Sequence, residues 1–278
     1  MKICFKNVEF SYSSEKILDD ICLDLGHSKL ICILGPNGVG KSTLLHCMNR
    51  IISPQKGVIL LNGKEVAHMN INEIARHIGF VPQERDDIPA LTVMDVVLLG
   101  RHPHSKLSYA KNDLDIVSNI LHFMDLEDIA LRYIDELSGG QRQKVFIARG
   151  LAQMPEVLLL DEPTSNLDIR HQLEVMEMLR GLVDYGKLQI VLVSHDLNIS
   201  MRYADQVIIM KDGKIFTAGD PRNVITRDVI QSVYGVHSLV MHSDVNPYIV
   251  PLSSTKEGLS RNLNELGKIL TGAYSSGT

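Results

Sequence analysis

The chain has 278 residues, of which 45% are hydrophobic and 22% charged, and its formal net charge is −5. That is enough chain for one large domain or two small ones with a sizeable core. The acidic balance lacks the basic stripe of a nucleic-acid surface, no apolar run approaches the ~20 residues of a membrane span, and MKICFKNVEF has no apolar secretory core.

Along the chain, ICLDL alternates as a half-exposed strand, and KLICILG is a continuous apolar run ending at Gly35, as in a buried parallel strand. STLLHCMNRI reads as helix, GVILLNGK as a strand with a turn, and IGFVPQ as a short strand ending at Pro82. From Thr92 to Met154 the period is helical, in TVMDVVLLGR, NDLDIVSNILHFMDL and QRQKVFIARGLAQ. Strands return in EVLLLDEP, LQIVLVSHD, QVIIMKDG and KIFTAGD, with a helix IRHQLEVMEMLRGLV after the first. The pattern predicts an α/β sheet interrupted by a mostly helical insertion at about residues 88–155. A polar tail follows residue 252, in which Leu259, Leu263, Leu266 and Leu270 are spaced for one short amphipathic helix. Cys4, Cys22, Cys32 and Cys47 show no C-x-x-C pairing and read as reduced thiols of a cytoplasmic protein.

Gly35-x4-Gly40-Lys41-Ser42 follows a strand and opens a helix, the context of a phosphate-binding loop. Backbone N–H groups there face phosphate oxygens, Lys41 supplies charge to the β- and γ-phosphates, and Ser42 offers a hydroxyl to Mg²⁺. VLLLDE puts Asp161 at a strand's carboxyl end, where it would reach the same Mg²⁺. Glu162 points differently and can orient or deprotonate a water. A lone His or Gln at a strand end is usually a structural residue. His195 and Gln83 end strands on the same expected edge, which favours a γ-phosphate contact for His195 and a metal or water contact for Gln83. Tyr12 offers a ring for base stacking, which does not by itself distinguish adenine from guanine. LSGGQ adds a second anion cradle at a helix N-terminus, Ser138, Gly139, Gly140 and Gln141.

The ordered set GPNGVGKS, VPQ, LSGGQ, LLLDEP, SNLD and SH resembles the ATP-binding-cassette (ABC) ATPase family over about residues 1–252. The resemblance implies a P-loop NTPase (RecA-like) core with an N-terminal antiparallel β subdomain and an inserted helical subdomain. It assigns the phosphate loop to Gly35, Pro36, Asn37, Gly38, Gly40, Lys41, Ser42 and Thr43, with ATP and Mg²⁺ as cofactors. Asp161 becomes a Mg²⁺ ligand with Ser42 and Gln83. Glu162 becomes the catalytic carboxylate, Ser165 to Asp168 the D-loop, His195 the switch histidine and Tyr12 the adenine-facing aromatic. It also explains the second cradle: two such chains pair head to tail, and Leu137 to Gln141 of one faces the ATP held by the other.

TVMDVVLLGRHPH resembles the cassettes of importers for iron–siderophore, haem and cobalamin, and so does the ending VYGVHSLVMHSDVNPYIVPL. That implies two multi-span permease subunits, a substrate-binding protein beyond them, and a peripheral place on the cytoplasmic face of the membrane. A molybdate or tungstate importer and a soluble ABC ATPase of DNA repair or translation are the alternatives. The soluble class usually carries a coiled-coil insertion or two tandem cassettes, which this chain lacks, and the charge argues against a nucleic-acid partner. His102-Pro103-His104 is too small a set for a metal site and reads as a loop near the permease contact.

Overall fold

A computed structural model describes residues 2–26, 30–83, 90–105, 108–186, 188–241 and 247–255. The amino-terminal part holds β1 (Ile3–Tyr12), β2 (Glu15–Asp24), β3 (Leu30–Leu34), α1 (Lys41–Met48), β4 (Lys56–Leu61), β5 (Lys64–Glu65), α2 (Ile71–His77) and β6 (Ile78–Val81). The middle holds α3 (Val93–Leu99), α4 (Lys111–Phe123), α5 (Gly139–Ala152), β7 (Val157–Asp161) and α6 (Ile169–Tyr185). Then come β8 (Gln189–Val193), α7 (Leu197–Tyr203), β9 (Gln206–Lys211), β10 (Lys214–Gly219), α8 (Pro221–Val224), α9 (Arg227–Tyr234), β11 (Val236–Met241) and β12 (Tyr248–Ser254).

The central sheet has the order β10-β9-β3-β8-β7-β6, parallel except for β10. Every residue of β3, β7 and β8 is buried, as the unbroken apolar runs predict for a parallel sheet covered on both faces. Alternation divides the core in two. Leu30, Cys32, Leu34, Leu158, Leu160 and Leu192 face α5, α6 and the inserted helices, in one continuous core. Ile31, Ile33, Leu159, Val191 and Val193 face α1 and an antiparallel sheet of order β2-β1-β4-β5. Leu160→Ala should therefore cost about 2–5 kcal/mol, because the fully buried strand cannot collapse onto the space. A urea midpoint lowered at unchanged slope is the expected signature.

The stretch expected as the insertion carries α3, α4 and α5. Buried Arg101 holds it together: Nε donates to Asp113 at 2.8 Å and Nη1 to the Ala152 carbonyl at 2.8 Å, joining α3, α4 and the end of α5. The helix expected over STLLHCMNRI stops at Met48, earlier than predicted, because Arg50 takes a left-handed φ of 54°. The last described strand lies across residue 252. β12 reaches Ser254, and Thr255 donates from its N–H and its hydroxyl to the Gly235 carbonyl. The leucines of the tail lie outside the described residues. Among the described residues no helix is long and apolar enough to cross a membrane.

Candidate active site

Register decides where the loops of the central sheet emerge. Ile33 of β3 and Asp161 of β7 both pair with Val193 of β8, and Val81 of β6 pairs with Leu160. The Gly35 loop, Ser194–His195, Asp161–Glu162 and Gln83 therefore leave one carboxyl edge side by side, where ligands of open α/β sheets sit.

The Gly35 loop is wrapped around its own lysine. Lys41 Nζ donates to the carbonyls of Gly35 and Pro36, each at 2.9 Å. Two glycines make that wrap possible. Gly35 has φ 148°, and a Cβ there would lie 2.5 Å from the Met210 carbonyl oxygen. Gly40 has φ 101°, and a Cβ would lie 2.8 Å from the Ile17 carbonyl oxygen. Ile17 was not singled out in the sequence. It backs the loop through its main chain and lines the cleft, a role that an apolar residue in a strand does not advertise.

Ser42, one residue on, donates from Oγ to Asp161 Oδ1 at 2.9 Å. Burial pushes the Asp161 carboxyl above the usual carboxylate range, and the Ser42 hydrogen bond opposes this. Burial lowers Lys41 from the ordinary lysine range, against the attraction of Glu162 and Asp161. For Asp161 the sign is clear: a raised carboxyl pKa means stability present at low pH and lost as pH rises through the folded value. Asp161→Asn keeps an acceptor for Ser42 without the buried charge. The nucleotide-free variant should melt above wild type at neutral pH, a difference that shrinks towards pH 4 in thermal scans, while hydrolysis is lost.

Glu162 ends the strand in a left-handed conformation, φ 51°, which is costly for a residue with a side chain. A turn holds it there, since Ser165 donates to the Glu162 carbonyl from both its N–H (3.1 Å) and its hydroxyl (2.9 Å). The turn separates Glu162 from Asp161 and aims its carboxylate at two partners. Gln83 Nε2 donates to Glu162 Oε2 at 3.0 Å, and His195 Nε2 lies 3.1 Å from the same oxygen. Gln83 was read as a contact for the metal or the attacking water, and its amide nitrogen is engaged with Glu162, the residue read as acting on that water.

These groups border a cleft of about 480 Å³ that also takes in Tyr12, Asn37, Gly38 and Thr43. Tyr12, the last residue of β1, is half exposed and meets Phe10 edge-on at 4.8 Å, so a ring face stays open for stacking. The remaining predicted residues are elsewhere. Ser138 caps α5, its Oγ accepting from the Gln141 N–H, while the Gln141 side chain accepts from the Ser138 N–H. Asp168 caps α6 by accepting from the His171 N–H at 2.9 Å, and that contact holds its carboxyl below the usual range. Neither Ser138–Gln141 nor Asp168 lines the cleft. His104 Nε2 lies 2.8 Å from the Gln153 carbonyl, and among the described residues no cluster of His, Cys, Asp and Glu could hold a metal ion.

A phosphate loop, an acidic strand end and a polar edge on a RecA-like sheet define a nucleotide-hydrolysing cassette. Residues 18–165 match the model of the ABC transporter family. The chain belongs to that family and is an ABC-type ATPase. It is 43% identical over 252 residues to the uncharacterized ABC transporter ATP-binding protein MJ0089 of Methanocaldococcus jannaschii, covering 91% of this chain and 98% of that one. It is 34% identical over 254 residues to the ferric enterobactin transport ATP-binding protein FepC of Escherichia coli, covering 90% and 94%. Among solved structures it resembles a chain of an inward-facing ABC transporter described as metal-chelate type, with TM-score 0.79, 28% identity and coverage of 90% and 97%. It also resembles the dimeric cassette MJ0796 bound to ADP and Pi, with TM-score 0.69, 29% identity and coverage of 79% and 99%.

Proposed function

We propose that this ATPase powers a membrane importer for a metal chelate of the iron–siderophore, haem or cobalamin kind. It works as a head-to-tail pair at the cytoplasmic face, beneath two multi-span permease subunits that receive cargo from a substrate-binding protein. The observation that carries the reading is the division of the site. Lys41, Ser42, Glu162, Gln83 and His195 line one cleft, with Asp161 hydrogen-bonded to Ser42, while the capped start of α5, Ser138 to Gln141, is not part of its lining. A second phosphate cradle without a phosphate site in its own chain suits a partner's nucleotide. Support for the cargo comes from the relatives: FepC is named for ferric enterobactin transport.

In this reading the N–H groups of the Gly35 loop and Lys41 bind and orient the β- and γ-phosphates, and Tyr12 stacks on the base. Ser42 Oγ and Asp161 Oδ1 are hard oxygen donors at one point, the set that Mg²⁺ accepts. The ion, when bound, supplies charge neutralisation to the phosphates. Glu162 takes a proton from the attacking water, while His195 and Gln83, already on its Oε2, hold the carboxylate and meet the γ-phosphate end of the nucleotide. ATP contacts shared by two chains favour the closed pair, and loss of the γ-phosphate removes them.

The test is reconstitution with the permease pair in lipid vesicles. A binding protein loaded with a ferric siderophore, haem or cobalamin should raise the ATPase rate above that with the empty binding protein and drive uptake. Stimulation by molybdate alone would reassign the cargo, and ATPase activity indifferent to any permease would reassign the class.

A further inference from the structure

The two glycines of the Ser138 cradle are not equivalent. Around Gly139 a Cβ would meet nothing within 4 Å. At Gly140 it would lie 2.8 Å from Cδ2, 3.1 Å from Cγ and 3.3 Å from Nε2 of His171. Gly140 has no positive φ and sits in the first turn of α5, so its backbone would accept alanine. The imidazole laid against Gly140 leaves no room for a Cβ unless the ring moves. That imidazole is fixed from the other side, because Nδ1 lies 2.9 Å from Asp168 Oδ1, the cap of α6 and the end of the turn that begins at Glu162. The two helices are tied one turn further on as well, by Lys144 of α5 to Glu174 of α6 at 3.6 Å, and Arg170 holds that Glu174 from within α6 at 2.9 Å.

We infer that His171 is a positioning residue that couples the two ATP sites of the dimer. It joins the cradle that reads the partner's nucleotide, through Gly140, to the segment running from this chain's own Glu162, through Asp168. A shift of the α5 N-terminus on meeting the partner's γ-phosphate is passed by the ring to Asp168, and from there along residues 165–168 to the hydrogen bonds that hold the Glu162 turn. The ring can carry the shift because one imidazole faces Gly140 on one side and Asp168 on the other. This inference rests on the head-to-tail pairing proposed above. The pairing supplies the two sites, and His171 supplies the link.

The experiment uses the full chain and compares wild type, His171→Ala, His171→Asn, Gly140→Ala and the double variant Gly140→Ala/His171→Ala. His171→Asn keeps an N–H donor for Asp168 but removes the ring. Steady-state ATPase should be cooperative in ATP for wild type. The Hill coefficient should fall towards one for His171→Ala and His171→Asn alike, because the link needs both ends. Binding of a fluorescent ATP analogue to the isolated chain should stay within about twofold, since Tyr12 and the Gly35 loop are untouched. Gly140→Ala should lose at least about tenfold in rate, and the double variant should recover much of it, because the ring that clashes with the new methyl is gone. Unchanged cooperativity in His171→Ala, full activity in Gly140→Ala, or no recovery in the double variant would each overturn the inference. The pairing is read separately, from the hydrolysis regained when Ser138→Arg and Lys41→Ala chains are mixed. No recovery despite subunit exchange removes pairing and link together, whereas recovery with cooperativity intact in His171→Ala removes the link alone.

Discussion

Glu162→Gln is expected to hydrolyse ATP roughly 10²–10⁴-fold more slowly than wild type, the contribution of a positioned general base, and to accumulate as an ATP-bound dimer. The amide is nearly isosteric with the carboxylate, so it can still lie beside Gln83 and His195, which both reach the Glu162 Oε2 position. What is lost is the base and one negative charge near the γ-phosphate. Nucleotide binding through Lys41 and the Gly35 loop is separate from this and should survive. The dimer persists while ATP is uncleaved, because only a ligand with different affinity for the open and closed states can shift their balance.

Size-exclusion chromatography with light scattering distinguishes the outcomes when run with ATP, with ADP and without nucleotide. A dimer formed with ATP and not with ADP supports the base, the shared site and closure together. Wild-type turnover in the variant would remove Glu162 from its role. An inactive variant that stays monomeric would keep the base and make the permease subunits responsible for bringing the cassettes together.

The legibility of this chain follows from where its constraints lie. Strands β3, β7 and β8 were plain because burial on both faces forces unbroken apolar runs, and the residues closing those runs had to meet at one edge. The short helices α2, α7, α8 and α9 gave no comparable signal. With four to eight residues each, they hold at most about two turns of periodicity, too little for a pattern. Gln83 was placed on the correct edge, but its hydrogen bond to Glu162 was not anticipated. An edge follows from strand register, whereas a partner depends on the left-handed turn at Glu162, which sequence alone does not announce. His171 was missed altogether. In IRHQLEVMEMLRGLV it is one polar residue on a helix, and its meaning comes from Gly140, which is 31 positions earlier and adjacent only in the fold.

A mixture of two dead variants, Ser138→Arg and Lys41→Ala, is expected to regain hydrolysis. Lys41→Ala removes the ammonium that meets the β- and γ-phosphates, along with the two hydrogen bonds that fold the loop, so it should lose ATP affinity as well as activity. Ser138→Arg should leave ATP binding by the single chain largely intact, because Ser138 does not line the cleft. It puts a long cation where the partner's γ-phosphate would sit, and it removes the cap of α5. Caps are worth ~1 kcal/mol, so the chain should stay folded, and far-UV circular dichroism checks that. In a mixed head-to-tail dimer one composite site combines the Lys41→Ala loop with the Ser138→Arg cradle and is doubly damaged. The other combines two intact halves. Random pairing makes half of the dimers mixed, so about a quarter of all composite sites should be whole. A single-turnover assay should detect that fraction directly. Steady-state ATPase should recover less, in proportion to how strongly a working site depends on its twin. A head-to-head arrangement, or a site complete within one chain, predicts no recovery at all. Subunit exchange, followed by energy transfer between differently labelled chains, makes a negative result decisive. With exchange demonstrated and no hydrolysis regained, the second cradle at Ser138–Gln141 would not serve the partner's nucleotide.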